Sequence, residues 1–318
     1  MRVLIVIDQS EGLVKKAALE AISYGVALAA HTNTTAEGLV LGNTREDLAG
    51  LGRYGIKKIH NAASEALNNF DAQVHTRVIA QAVQELDAAV VIFSSTADSK
   101  AIAPRLSARL RAGLVTGAVA LPATASGFVV TKTVFSGKAF ADISIPTPIK
   151  IITLNPNAYK AQAGEGSAEV IPFTATAEPG KIKVTAVNKV SGEISLSEAD
   201  IVVSGGRGLK GPENWGMVEE LAHLLHAATA CSRPVADIGW RPHHEHVGQT
   251  GLAIAPDLYI AIGISGAIQH LAGVNRSKTI VVINKDPEAP FFKAADYGIV
   301  GDAFDVVPKI IAAVKQLR

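Results

Sequence analysis

The residues best suited to chemistry follow a buried strand in the second half of the sequence. The segment YIAIGISGAIQHLAG, residues 259–273, begins as an apolar strand and ends as a helix, with Ser265 and Gly266 at the corner and His270 one turn further on. The N-terminus of such a helix presents unpaired N–H groups and the positive end of its dipole. With an imidazole beside it, this end would stabilise negative charge on a bound ring. A packed core or surface histidine is the alternative interpretation.

Polar or glycine residues also mark other strand ends of this half. VVSGGRGL places Arg207 among glycines, where backbone N–H groups and a guanidinium could bind phosphate. The spacing matches neither GxGxxG nor a Walker loop, and a tight strand-to-helix turn explains it equally well. Asn284 and Asp302 end two further strands and supply groups of the kind that hold ribose or ribityl hydroxyls. Ligands bind at the carboxyl ends of strands in open α/β sheets, so these ends predict one site.

A histidine-rich loop carries two further groups of candidates. His243, His244, Glu245 and His246 are residue types that bind metals. Adjacent positions do not easily converge on one ion, and no HxxxH or HExxH spacing is present, so a solvated loop is favoured over a metal site. VGQTG, residues 247–251, brackets an amide and a hydroxyl with glycines and could bond a flat heterocycle.

The elements that must position these groups alternate between strand and helix patterns. In the first half, apolar runs such as RVLIVID and AAVVIFSS alternate with helical periods, which predicts a mostly parallel sheet covered by helices. Residues 128–155 change to period two and predict a hairpin that turns at Ser136 and Gly137, an antiparallel edge to the sheet. Residues 156–190, rich in Ala, Gly, Pro, Thr and Ser, predict an extended connection with short strands inside it.

The alternation of strands and helices restarts after this connection. It predicts strands at 199–204, 234–238, 258–264, 279–284 and 298–300, and helices at 214–228, 267–272, 290–296 and 304–317. The 318 residues exceed the size at which single cores stop growing, so two cores are expected. The fold class is therefore α/β with two domains, residues 1–188 and 189–318, each a mostly parallel sheet flanked by helices.

Composition excludes several classes of partner. Thirty basic residues against twenty-nine acidic ones give no field that would attract nucleic acid or an anionic membrane. The sequence contains no run of about eighteen apolar residues free of charge, and MRVLIVID is too short for a signal peptide, so membrane insertion is not expected. The single cysteine, Cys231, excludes an intrachain disulfide and a multi-cysteine metal site, which favours a cytoplasmic protein.

Several separated motifs together resemble one known family. Residues 256–302, PDLYIAIGISGAIQHLAGVNRSKTIVVINKDPEAPFFKAADYGIVGD, closely resemble the C-terminal signature of the electron-transfer flavoprotein alpha subunit family. The resemblance extends back through VGQTG, SRPVAD and SGGRGLK. It continues more loosely through LIVID, SYGVALA, GLVTGAVAL and FSGKAFA in the first half, so it covers essentially the whole chain.

This resemblance implies a cofactor, a partner and a function. The first domain would be nucleotide-hydrolase-like or Rossmann-like and dock the partner, and the second would be doubly wound and bind FAD. The expected protein is one subunit of a heterodimer that carries single electrons without substrate turnover. Donors would be flavin-linked dehydrogenases, such as the acyl-CoA dehydrogenases of fatty acid β-oxidation, and the acceptor a membrane quinone-linked oxidoreductase. The partner would be a beta subunit, which usually binds AMP, so AMP is not expected in this chain.

The family pattern also implies which residues contact FAD. They are Arg207, Ser232, Arg233, Val247, Gly248, Gln249, Thr250, Ser265, Gly266, Ala267, Ile268, Gln269, His270, Asn284, Asp302 and Ala303. Three would tune the redox potential: Arg233 against the isoalloxazine ring, Thr250 near N5 and His270 near the pyrimidine carbonyl. Positive potential from Arg233, His270 and the helix N-terminus would stabilise the extra negative charge of half-reduced flavin.

Departures from the family pattern and two alternatives qualify this expectation. His246 stands where the family commonly has Gln, Leu252 where Lys often follows and Pro234 where Ala is usual, and each could shift the redox potential. One alternative is an NAD- or flavin-dependent oxidoreductase with His270 as acid or base. No catalytic pair of His with Ser, Cys or a carboxylate stands out in the sequence, and no GxGxxG follows the first strand. The other alternative is a nucleotide-binding module whose first domain docks another subunit.

Overall fold

The chain forms two compact units with a sheet in each. The computed structural model describes residues 2–135, 137–176, 180, 182, 184–186 and 194–317. One unit comprises Met1–Val134 and Lys138–Asn188, and the other comprises Phe135–Gly137 and Lys189–Arg318. Both are α/β, which confirms the predicted fold class. Within the described residues, no helix is both long and apolar enough to cross a membrane.

The first unit is built on a nine-stranded, mostly parallel sheet. Its strands and a small separate ribbon are β1 Arg2–Ile7, β2 Gln9–Ser10, β3 Leu13–Val14, β4 Thr35–Leu41, β5 Lys58–Ala62, β6 Ala88–Ser94, β7 Gly113–Ala118, β8 Val129–Val134, β9 Ala139–Ser144, β10 Lys150–Leu154 and β11 Glu169–Pro172. The strand order is β11-β5-β4-β1-β6-β10-β7-β8-β9, and β2 pairs with β3 alone. The helices are α1 Lys16–His31, α2 Ala72–Glu85 and α3 Ala97–Leu110.

Continuous apolar strands occupy the centre of this sheet because helices cover both of its faces. Successive side chains of a strand point to opposite faces. In β1, Ile5 packs in a cluster with Ile22 of α1, and its neighbour Leu4 packs in a second cluster with Val78 of α2. RVLIVI is therefore apolar at nearly every position, as a strand buried on both faces must be.

The predicted antiparallel edge and the strand inside the connection are both present. β8 and β9 pair antiparallel, with Val134 opposite Ala139. Of the predicted turn residues, Gly137 has φ +86°, which favours glycine, and Ser136 lies outside the described residues. β11 pairs parallel with β5. Within the predicted connection, residues 177–179, 181, 183 and 187–190 lie outside the described part of the chain.

The second unit is a five-stranded parallel sheet with a reversal in strand order. Its elements are β12 Ile201–Gly205, α4 Gly216–Leu225, β13 Ala228–Cys231, α5 Arg233–Asp237, β14 Leu258–Ile262, α6 Ile268–Val274, β15 Thr279–Asn284, β16 Tyr297–Val300 and α7 Ala303–Gln316. The order β13-β12-β14-β15-β16 means that the chain moves outward on one side of β12 and then returns to its other side. The loops after β12 and β14 diverge there and leave a crevice where such sheets bind ligands.

The predicted strand at 234–238 is wrong. Those residues belong to helix α5, and the strand lies earlier, at Ala228–Cys231. Proline has no N–H for a strand ladder but suits the first turn of a helix, where Pro234 stands. Ala230 and Cys231 are fully buried, as a strand covered by helices requires. The predicted helix at 290–296 is a shorter 3₁₀ turn, Pro290–Ala294.

Candidate functional site

A cavity of about 500 Å³ lies at the carboxyl ends of the strands of the second unit. The residues predicted from sequence that line it are Arg207, Ser232, Arg233, Val247, Gln249, Thr250, Ser265, Gly266, Ala267, Gln269, His270 and Asn284. Gly248, Ile268, Asp302 and Ala303 are not part of its wall. Six further residues complete the wall: Pro234 and His246, which were noted from sequence only as departures from the family pattern, and Gly208, Gly263, Ile264 and Asp286, which were not predicted to contact a ligand. The ends of β12, β14 and β15 therefore converge on one cavity, whereas Asp302, which follows β16, does not line it.

Glycines bring the loops after β12 and β14 into backbone contact. The N–H of Gly206 donates to the carbonyl of Ile262 at 2.9 Å, and the N–H of Gly208 donates to the carbonyl of Gly263 at 3.0 Å. A Cβ on Gly208 would lie 2.6 Å from the Cα of Gly263, which has φ +64°. These two N–H groups are used inside the fold, so the tight-turn interpretation is correct for them. The exposed guanidinium of Arg207 remains as the anion-binding group of this loop.

The VGQTG loop is fixed against helix α6. The N–H of Gln249 donates to the carbonyl of Gln269 at 2.7 Å, and the N–H of Gly248 donates to the carbonyl of Leu252 at 3.1 Å. A Cβ on Gly273 of α6 would lie 2.5 Å from the Cα of Gly248, so only glycine permits this approach. The contact holds Gln249 and its neighbour Thr250 at the cavity wall, where both are exposed.

His270 is a buried wall residue with one nitrogen engaged. Its Nε2 lies 2.8 Å from the hydroxyl of Tyr259, which is fully buried in β14. The ring also meets Phe291 edge-on, with centroids 5.6 Å apart. The Nδ1 of His270 is enclosed by the fold, and the backbone of Val247 acts on the same ring. The imidazole is therefore held in place by β14, by Phe291 and by the VGQTG loop.

Burial also decides the charge of His270. Desolvation, reinforced by the neighbouring His246, lowers the pKa of His270 to about 4. The ring is therefore neutral near pH 7 in this structure, and its predicted supply of positive potential to a bound flavin stays a prediction. It acts here as a neutral hydrogen-bonding group, and the formal positive charge on the wall comes from Arg207 and Arg233.

Arg233 is the first residue of α5 and is exposed. Its Nε lies 3.2 Å from a carboxylate oxygen of Asp237, one turn later in the same helix. Exposed pairs of this kind are weak, so the guanidinium can exchange this partner for an anion in the cavity. Ser232, which precedes it, is buried and lines the same wall.

Asn284 and Asp302 both brace the backbone. The amide of Asn284 donates to the carbonyl of Ile264 at 3.0 Å and its oxygen accepts from the N–H of Asp286 at 3.1 Å. Asp302 caps helix α7 by accepting from the N–H of Phe304 at 3.1 Å, and this bond is the main cause of its lowered pKa. The predicted contacts of Asn284 and Asp302 with sugar hydroxyls, and of Ala303 with FAD, stay predictions.

Glu245, the acidic residue of the histidine-rich loop, forms an ion pair with Arg241. Glu245 is 2% exposed and accepts two bonds at 2.9 and 3.0 Å from Nε of Arg241 and one at 2.6 Å from its Nη2. Glu219 accepts a further bond from Arg241 at 2.9 Å. Among the described residues, no group of three or more His, Cys, Asp or Glu side chains is placed to hold a metal ion.

Comparison with known proteins identifies the family. The model of the electron transfer flavoprotein domain matches residues 3–178, and that of the electron transfer flavoprotein FAD-binding domain matches residues 195–275. The chain belongs to the electron transfer flavoprotein alpha subunit family. The relative from Bacillus subtilis (strain 168), an electron transfer flavoprotein subunit alpha, is 38% identical and the match covers 100% of this chain and 98% of the relative.

Other relatives match over similar lengths. The electron transfer flavoprotein subunit alpha of Mycobacterium tuberculosis (strain ATCC 25618 / H37Rv) is 38% identical, with 99% of each chain covered. That of Syntrophomonas wolfei subsp. wolfei (strain DSM 2245B / Goettingen) is 35% identical, with 98% of each covered. The cofactor of the family's second domain is FAD, and the family's role is electron transfer.

The wall of the cavity fits such a cofactor. Two arginines suit a pyrophosphate, and the exposed Gln249 and Thr250 suit the polar atoms of a ring. The reversal of strand order places the cavity where related sheets bind flavin. Tyr259, the residue behind His270, was missed because a tyrosine within an apolar strand gives no signal of function in the sequence. Gly263 directly follows β14, and its position was the available signal.

Proposed function

We propose that this electron transfer flavoprotein alpha subunit holds FAD in the cavity at the β12/β14 crevice and pairs with a beta subunit. Electrons would arrive from flavin-linked dehydrogenases, of which acyl-CoA dehydrogenases are the expected example. They would leave to a membrane quinone-linked oxidoreductase. The single cysteine favours a reducing compartment, and we place the protein in the cytoplasm.

Different residues of the wall would bind different parts of the cofactor. Arg207 and Arg233 would bind its phosphates or the electron-rich edge of its ring, because guanidinium groups pair well with both. Gln249, Thr250 and Ser265 are exposed on the wall and would donate or accept hydrogen bonds. His270 would form part of the wall beside the cofactor, and Tyr259 would fix the orientation of its ring. When bound, FAD supplies the redox chemistry.

One observation supports this proposal most directly. The cavity carries the exposed guanidinium groups of Arg207 and Arg233 and lies at the reversal of strand order beside β12, where open α/β sheets bind ligands. Two guanidinium groups on one wall suit the pyrophosphate of FAD, and most of this wall lies within residues 195–275, which the FAD-binding domain model matches. A wall that carries two arginines beside two histidines suits an anionic cofactor such as FAD.

Flavin counting with a matched pair of charge variants tests the proposal. The chain, co-expressed with its beta subunit, should copurify as a yellow heterodimer whose second unit holds one FAD, and should retain FAD poorly alone. Arg233→Gln should weaken FAD binding about 10- to 100-fold, since a bond to a charged group contributes about 1.5–3 kcal/mol. Lys309→Gln removes a positive charge from exposed α7, away from the cavity, and should leave binding unchanged.

Two outcomes would contradict the proposal. A colourless protein that binds no FAD with or without a partner would exclude the flavin site. Steady turnover of a small substrate with NAD by the purified chain would favour the oxidoreductase alternative.

A further inference from the structure

His246 is a second imidazole on the wall of the same cavity. It is 8% exposed, and both it and His270 line the cavity. A Cβ on Gly248 would lie 3.3 Å from Nε2 of His246 and 3.7 Å from Cα of His270. The two histidines therefore flank Gly248, and the missing side chain at this position lets them be neighbours.

The backbone on either side of His246 is fixed, so this placement is well defined. Its N–H donates to the carbonyl of His243 at 3.1 Å, and its carbonyl accepts from the N–H of Leu252 at 2.9 Å. The next residue, Val247, donates to the carbonyl of Cys231 at 3.1 Å in the edge strand. A Cβ on Gly251 would lie 2.8 Å from Nδ1 of His246, so the loop closes tightly over the imidazole.

The charged groups that face His246 largely offset one another. Asp237 and Arg233 of α5 act on it with opposite signs and are paired at 3.2 Å. His243 acts on it from its own loop, and His246 in turn acts on His270 of α6. The Cys231 thiol of β13 is neutral, because burial raises its pKa to about 12.

Glu245, the preceding residue, is committed to Arg241. Burial, the leading effect, lowers the pKa of His246. No unpaired carboxylate among these groups holds a proton on either imidazole, and a charge on one ring opposes a charge on the other.

The two histidines flank Gly248 and His246 acts electrostatically on His270, so the protonation of one ring affects that of the other. We propose that His246 and His270 together bind one proton from solvent when the ring system in this cavity becomes anionic. This inference rests on the proposed FAD site. A single proton is expected because the rings are neighbours in a poorly hydrated wall, where two positive charges repel strongly. The effect is to make the reduction potential of the bound FAD depend on pH through the protein and not only through the cofactor.

The test is the pH profile of the reduction potential of bound FAD in the full protein with its partner. In the wild type, proton binding by the histidine pair should add about 59 mV per pH unit to the slope of reduction potential against pH for a one-electron step. This value corresponds to a tenfold change in the equilibrium constant for each pH unit. His246→Gln should shift this region of added slope to a different pH, because His270 then has no neighbouring cation to oppose its protonation. The double variant His246→Gln/His270→Gln should lose it. His244→Gln, a matched change at an exposed histidine off this wall, should retain the wild-type profile.

If the variants do not fold, NMR of the wild-type protein tests the same proposal. Imidazole NMR signals of wild-type protein should show one of these two rings gaining a proton on reduction of FAD. The proposed coupling would be wrong if wild type and His246→Gln gave the same dependence of reduction potential on pH, or if the imidazole signals did not change on reduction of FAD. Neither result would contradict the FAD site. Absence of bound FAD at every pH would instead overturn the proposed function itself.

Discussion

Protonation of His270 should destabilise the second unit at acid pH, and comparison with a variant that lacks this histidine should measure the effect. Its pKa falls from 6.5 in an unfolded chain to about 4 in the folded unit, chiefly because of burial. The unfolded chain therefore binds a proton at a higher pH than the folded unit does. The stability associated with neutral His270 is fully present above pH 6.5 and is lost as the pH falls towards 4. Each pH unit corresponds to 1.36 kcal/mol, so the loss should reach about 3 kcal/mol.

The assay is urea unfolding at a series of pH values. The only tryptophans, Trp215 and Trp240, both belong to the second unit, so their fluorescence reports its unfolding. The pH dependence of His270→Gln, which cannot titrate, is subtracted from that of the wild type. His244→Gln is the control for loss of an exposed histidine and should follow the wild type. If the difference between wild type and His270→Gln stays flat between pH 7 and pH 4, burial of His270 does not control the acid stability of the second unit.

Two further predictions concern the loop and the cysteine. Gly273→Ala should destabilise the second unit by about 1–3 kcal/mol and weaken FAD binding, because its Cβ would lie 2.5 Å from Gly248. Gly216→Ala, at the start of α4 with open space around its Cβ, should instead be neutral or stabilise by up to about 1 kcal/mol. Urea unfolding measures both, and equal effects would show that the glycine contact does not matter. Cys231 should resist iodoacetamide in native protein and react only in urea, since it is fully buried and its thiol pKa is raised to about 12. Mass spectrometry measures the labelling, and rapid native alkylation would refute this.

The position of the site could be predicted from sequence because strand ends are recognisable. The apolar run before Ser265 and the change of period after it located His270 beside the crevice, and the strand-end glycines located the facing loop. What the local pattern cannot show is tertiary contact. The pairing of Gly206 and Gly208 with Ile262 and Gly263, and the burial that lowers the pKa of His270, depend on residues far apart in sequence. Tyr259 is only eleven residues from His270, but the pattern does not show that the fold brings its hydroxyl to the imidazole.

The error at residues 234–238 has a similar origin. A short apolar run between polar residues fits a strand or a turn of helix equally well, and Pro234 was the signal that favoured the helix. The edge strand Ala228–Cys231 consists of small residues with weak strand preference. It is a strand because β12 pairs with it along its length, which no local window contains.

The strand order of the first unit determines when its central strands can pair during synthesis. β10 lies between β6 and β7, although it follows both in the chain, and β11 completes the edge at β5. A nascent chain that has emerged only as far as residue 118 thus has no partner for the facing edges of β6 and β7. At ~5–20 residues per second, β10 follows after a few seconds. During that interval the facing edges of β6 and β7 are unpaired in the nascent chain. Unpaired apolar strands are prone to aggregation, so this is the stage at which chaperone binding would protect the chain.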